Sequence, residues 1–158
     1  MTIRIGISGW TYAPWRGVFF PKGLLQKHEM AYAAQTFPSI EVNGTFYGQQ
    51  RPEIFERWRD GAPDDFVFAI KASRYITHIR RLRDATEPMA NFFAQGVLAL
   101  GKKLGPFLWQ LPPSYRFDPD RLEDFLRLLP HDTDAAAKLA RRHEPRMKGR
   151  VFLTPESK

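Results

Sequence analysis

At the start of the chain Ile3, Ile5 and Ile7 alternate with Arg4, Gly6 and Ser8, a two-residue period that predicts a strand over 3–9. The same period returns where Ile40 and Val42 alternate with Glu41 and Asn43. A near-continuous apolar run over 66–72 predicts a third strand, of the kind covered on both faces in a parallel sheet. Residues 107–110 predict a fourth strand, closed by Leu111-Pro112-Pro113, and 151–154 a further one. Helical spacing fills the intervals. The stretch 24–37 predicts a helix burying Leu25, Met30, Ala33, Ala34 and Phe37, stopped by Pro38. Pro52 opens a short helix bearing Ile54, Phe55 and Trp58. Over 88–104, Met89, Phe93, Val97, Leu100 and Leu104 recur at three- and four-residue steps, which predicts one long helix capped by Gly105. Asp118-Pro119 supplies an N-cap and first-turn proline for a helix carrying Leu122, Phe125, Leu126 and Leu129.

Strand and helix thus alternate four times, which implies an α/β fold built on a parallel sheet. An open doubly wound sheet and a (β/α)8 barrel compete, and the strand faces choose between them. Ile3, Ile5, Ile7, Val42, Phe68, Ile70, Phe107 and Trp109 fall on one side, suited to meeting helices. The other side carries Gly6, Ser8, Glu41, Asn43, Ala69, Lys71 and Gln110. Small residues, with polar ones toward the C-terminal strand ends, suit a crowded barrel interior. The expectation is a partial TIM (β/α)8 barrel comprising about the first four βα units, with 1–158 forming a single domain.

Composition narrows the function classes. The 158 residues are 43% hydrophobic and contain no cysteine, which excludes disulfides and a Cys-ligated zinc site. No signal-peptide pattern or bilayer-spanning apolar run is evident, so a soluble, cytoplasmic protein without a membrane partner is expected. An excess of 24 Lys and Arg over 17 Asp and Glu, net +7, favours anionic partners. A Gly-rich phosphate loop, a GxSxG elbow, a HExxH helix and paired ligand histidines are absent, and the sequence leaves any cofactor unassigned.

The segment 39–48, Ser-Ile-Glu-Val-Asn-Gly-Thr-Phe-Tyr-Gly, concentrates a carboxylate, an amide and a phenol where a strand ends and a loop begins. Ser8, Glu41 or Asn43, Lys71 and Gln110 would point inward near the rim of a barrel. Glu41 is the candidate general acid or base. Lys71 is its candidate partner, neutralising an anionic substrate or developing oxyanion. Asn43 and Gln110 would orient substrate hydroxyls, Trp10, Tyr12 and Tyr47 would stack on a sugar or base, and His78 would carry a proton. The bland alternative makes Glu41 and Lys71 a buried ion pair filling the barrel, the first-loop aromatics a packed lid and His78 a surface group. Glu41 is the only acid of the inward set, so no metal site is expected. A second function class is nucleic-acid or phosphate binding. Arg74, Arg80, Arg81 and Arg83 cluster in ten residues around Tyr75 and His78, and Arg141, Arg142, Arg146, Lys148 and Arg150 form a second basic run.

Four segments together resemble the YecE-like family of domains of unknown function: Gly6-Ile7-Ser8-Gly9-Trp10; Glu41-Val42-Asn43-Gly44-Thr45-Phe46-Tyr47; Phe68-Ala69-Ile70-Lys71-Ala72 with Ile76-Thr77-His78; and Gly105-Pro106-Phe107-Leu108-Trp109-Gln110-Leu111-Pro112-Pro113. The resemblance implies a TIM barrel, likened to sugar isomerases by fold-level analogy. A complete barrel takes about 250 residues. The family's later motifs, an acidic-Arg-His strand, an Ala-Asp strand, an Arg-Leu-His-Gly strand and an Asn-rich final strand, are not in this sequence. The expectation is therefore a barrel truncated on its C-terminal side, whose open edges invite self-association. Its activity is expected to be enzymatic, on a small polar, sugar-like or anionic substrate, with the reaction unassigned.

Overall fold

The apolar alternations become one parallel sheet in the computed structural model, which describes residues 3–147 and 149–153. Strands β1 (Ile7–Ser8), β2 (Ser39–Val42), β3 (Val67–Lys71) and β4 (Leu104–Leu108) lie side by side in chain order, every neighbouring pair parallel. Register places Ile7 beside Ile40, Ile40 beside Phe68, and Ile70 beside both Val42 and Phe107. Bulky side chains therefore share one face and join a single core with residues from the helices. These helices are α1 (Glu29–Thr36), α3 (Pro52–Gly61), α4 (Thr86–Ala94), α5 (Pro119–Leu128) and α6 (Thr133–Ala140); α2 (Gly44–Tyr47) is a single turn directly after β2. Among the described residues no helix is long and apolar enough to cross a membrane.

The opposite face carries Ser8, Glu41, Ala69, Lys71 and Leu108, none of them fully buried. The third strand is thus covered on one face rather than both, its burial alternating along Val67–Lys71. The first strand is shorter than its pattern. Only Ile7–Ser8 pairs, and Ile3 and Ile5 stand 85% and 77% exposed, because β1 is an edge strand and no described element covers them.

Several helix boundaries also shift. The helix expected over 24–37 begins at Glu29 after a 3-10 turn, Gln26–His28, and Leu25 lies exposed before both. The helix expected over 88–104 is broken. α4 ends at Ala94, and Gly96 at φ 120° admits 3-10 turns over Val97–Lys103, themselves kinked at Gly101 (φ 54°). Its predicted face survives the break: Met89, Phe93, Val97 and Leu100 are all buried. A Cβ on Gly96 would stand 2.6 Å from Pro52 Cα, so the break also lets α3 approach closely.

Gly105 is no cap. It lies inside β4, where a Cβ would meet Val67 Cγ1 at 2.4 Å. There the pairing slips by one residue between Phe68 and Ile70, a bulge that suits Pro106, which has no N–H to give the ladder. The fourth strand consequently runs over Leu104–Leu108, and Trp109 and Gln110 lie beyond it.

The Asp118 cap holds, its carboxylate accepting from Arg121 N at 3.1 Å, but Leu126 points to solvent. Helix α6, unforeseen in the sequence, is capped by Asp132 and packs against α4, leaving every residue of 89–94 buried. Residues 151–153 form no strand, although Phe152 N donates to Ala94 O at 2.8 Å; Thr154 lies outside the described residues.

Candidate functional site

The parallel register sets Ser8 beside Glu41 at the C-terminal ends of β1 and β2. The Ser8 hydroxyl donates to Glu41 Oε1 at 2.9 Å, and Asn43 Nδ2 donates to Ser8 Oγ at 2.8 Å. This makes a directed chain, Asn43 to Ser8 to Glu41, which fixes the orientation of the carboxylate. Glu41 Oε2 receives no hydrogen bond from any described residue, so the carboxylate keeps acceptor capacity on the uncovered face. The Gly9 N–H donates to the Glu41 carbonyl at 2.8 Å, locking the strand ends together. The Tyr12 hydroxyl donates to the Ser8 carbonyl, and its ring packs 4.7 Å from Trp15. Tyr12 therefore both borders this group and ties the first loop over it.

Lys71 sits on the same face of β3, two residues beyond Ala69, the register partner of Glu41. The Glu41–Lys71 ion pair of the bland alternative is not made. The Lys71 ammonium instead lies 5.0 Å from the centre of the Phe46 ring. Phe46 is delivered by α2, whose buried Thr45 hydroxyl lies 2.7 Å from the Lys71 carbonyl and 3.1 Å from that of Val42. His78 meets the same ring edge-on at 5.1 Å, its Nδ1 2.9 Å from Thr77 Oγ1. Lys71 and His78 are thus gathered around Phe46, a residue sequence reasoning placed in the turn but gave no role.

The remaining candidates are placed elsewhere. Trp10 packs edge-on against Trp58 at 5.3 Å, on the helix side. Gln110 is exposed past the end of β4. Tyr47, 72% exposed, touches Phe46 but also lines a separate cavity. In the basic loop Arg80 pairs with Asp84 at 3.0 Å and Arg81 donates to Ser114 Oγ at 3.1 Å, so two of its four arginines are engaged internally. In the second basic run Arg146 pairs with Glu144, and Lys148 lies outside the described residues. Among the described residues no three acidic or histidine side chains come together as a metal-ligand set.

One ion pair escaped the sequence reading. Glu29 is wholly buried and accepts from Arg16 Nε at 2.6 Å, and this hydrogen bond and charge raise the Arg16 pKa further. An acid in a helix's first turn reads as a macrodipole partner, so nothing in the sequence signalled the clamp to the first loop.

Against known proteins, the family described as "Protein of unknown function DUF72" matches residues 4–146. The chain belongs to the DUF72 family. The UPF0759 protein YecE of Escherichia coli K12 is 29% identical over 113 residues, 72% of this chain and 39% of YecE. The UPF0759 protein YunF of Bacillus subtilis 168 is 31% identical over 116 residues, covering 70% of this chain and 40% of YunF. A solved DUF72 structure from Thermotoga maritima MSB8 superposes with a TM-score of 0.64 at 27% identity, covering 84% of this chain and 51% of that one. Another, from Enterococcus faecalis V583, superposes with a TM-score of 0.63 at 21% identity, covering 82% of this chain and 46% of that one, and speaks to the fold alone. The chain therefore spans about two fifths of the curated DUF72 relatives it matches and about half of the solved ones.

Proposed function

We propose that these residues supply the first four βα units of a (β/α)8 barrel enzyme, with Glu41 the proton-transferring centre for a small polar, sugar-like or anionic substrate. Support for the barrel comes from strand order and from the uncovered face. Four strands run parallel in strict chain order, and a doubly wound sheet would reverse that order and put helices on both faces. The remaining staves would come from outside the 158 residues, in one continuous domain.

The observation that carries the site is the chain Asn43 to Ser8 to Glu41 at the C-terminal strand ends, where barrel enzymes place their chemistry. Two donors in series orient the carboxylate and leave Oε2 to take a proton from a substrate hydroxyl or carbon acid. Lys71, braced on Phe46, neutralises negative charge that develops on the substrate oxygen. His78, edge-on to that ring, is the second group able to carry a proton.

Calorimetric titration of the protein with unphosphorylated aldoses, ketoses and sugar acids tests this reading. One class is expected to bind with an affinity that Glu41→Gln reduces at least tenfold, while the unliganded melting temperature stays within a few degrees. Equal affinity in Glu41→Gln, or no binding by any class, rejects it.

A further inference from the structure

A cavity of about 400 Å³ opens between α2, the π-helical turn Tyr75–Ile79 and α4, and it shares no lining residue with the Glu41, Ser8, Asn43 and Lys71 group. Its volume suits a small organic ligand. Three features say which kind. At its rim stand Tyr47, Tyr75 and Ile79, 72%, 47% and 59% exposed. Single exposed apolar side chains mean little, whereas three around one opening mark a surface that a ligand can cover.

Buried in its lining are two amides, Asn91 and Gln95, 4% and 1% exposed. Asn91 Nδ2 donates to Glu144 Oε1 at 2.8 Å, and Gln95 Nε2 donates to the Phe92 carbonyl at 2.9 Å. An amide nitrogen has two N–H groups, so each keeps one that no described residue accepts. Both amides want acceptor oxygens.

Charge supplies the third feature. Of the two guanidinium groups in the lining, that of Arg146 is held by Glu144, while Arg74 has no carboxylate partner among the described residues. The ionised lining therefore carries one positive charge in excess.

We propose that this cavity binds a phosphate monoester carrying a ring, of mononucleotide or sugar-phosphate size. Arg74 takes the phosphate as a charge-assisted, two-pronged contact. Asn91 and Gln95 donate to oxygens deeper in, and the Tyr47 and Tyr75 rings lie against the ring of the ligand. The proposal stands independently of the Glu41 reading, since the two sets of residues do not overlap.

Calorimetry with a nucleoside monophosphate, a hexose monophosphate and inorganic phosphate tests it, and the two esters distinguish a base from a sugar as the ring. At least one ester is expected to bind tenfold or more tighter than inorganic phosphate. Arg74→Gln should weaken that ester by about ten- to a hundredfold, and Tyr75→Ala should remove most of its advantage over inorganic phosphate. Both side chains are exposed, so both variants should melt as the wild type does. Glu41→Gln should leave this titration unchanged. Absence of ester binding at millimolar concentration, equal affinity for inorganic phosphate, or an Arg74→Gln variant that binds normally would each overturn the proposal. Loss of ester binding in Glu41→Gln alone would overturn it too, and would move the ligand to the strand-end group.

Discussion

Glu41 and Lys71 sit one strand apart on the uncovered face, yet each takes its own partner, Ser8 for the carboxylate and the Phe46 ring for the ammonium. A buried pair of opposite charges would couple strongly, and removing one partner would cost about 3–5 kcal/mol. The observed partners predict otherwise. Lys71→Met should cost only about 1 kcal/mol, the scale of a half-exposed cation–π contact. In a double-mutant cycle with Glu41→Gln, the two effects should add to within about 0.5 kcal/mol by denaturant unfolding. A coupling well above 1 kcal/mol would mean that the charges meet after all. Residue type and strand phase made Ser8, Glu41, Asn43 and Lys71 legible from the sequence, because period-two alternation tells which side chains share a face. The partners were not legible. They depend on register between strands distant in the chain, and on the single turn of α2 that brings Phe46 over Lys71.

At the scale of elements, the four strands and the Pro52 and Asp118 helix starts were readable because apolar period, proline and capping residues agree there. The reading went wrong where a glycine does something other than cap. The spacing from Met89 to Leu104 fits an unbroken helix, and only the positive φ of Gly96 and of Gly101, with the approach of Gly96 to Pro52, shows why the chain turns instead. Gly105 likewise reads as a helix end but serves the tight pairing of β4 against Val67 and Phe68. Both positions make the same kind of prediction. Gly105→Ala forces a methyl into backbone and Val67 within a packed sheet, and should destabilise by about 1–3 kcal/mol. Gly96→Ala adds backbone strain to a similar clash and should cost more, about 2–4 kcal/mol. Gly149, also at positive φ but with no described residue's atom within 4 Å of an added Cβ, serves as the control, since its replacement by alanine carries the strain without the clash. Thermal melts that rank Gly149→Ala as the most damaging of the three would show that close approach does not govern these sites. Helix α6 was missed for a different reason. Its short Ala-rich pattern lacks a broad apolar stripe, and its place is set by the α4 face it covers.

For the molecule as a whole, the sheet that organises the site is also its exposed feature. Parallel strands are ordinarily buried on both faces, but here one face is covered by helices and the other carries the Glu41 group. Among the described strands, β1 and β4 each pair on one side alone, which leaves backbone donors and acceptors open at two edges. Apolar side chains lie along them: Ile3 and Ile5 lead into β1, 85% and 77% exposed, and Leu108 ends β4 at 39%. Such edges recruit another strand whenever one is available. The 158-residue chain on its own is therefore expected to associate, with its weight-average mass in analytical ultracentrifugation rising over the micromolar range. Placing a charge on the β1 edge should oppose this directly. Ile5→Lys sits where the side chain is already solvent-facing, so it should leave the fold intact while lowering the mass toward that of one chain. A sharp monomer peak for the wild-type chain, with a cooperative thermal transition, would mean that these edges are satisfied within the single chain.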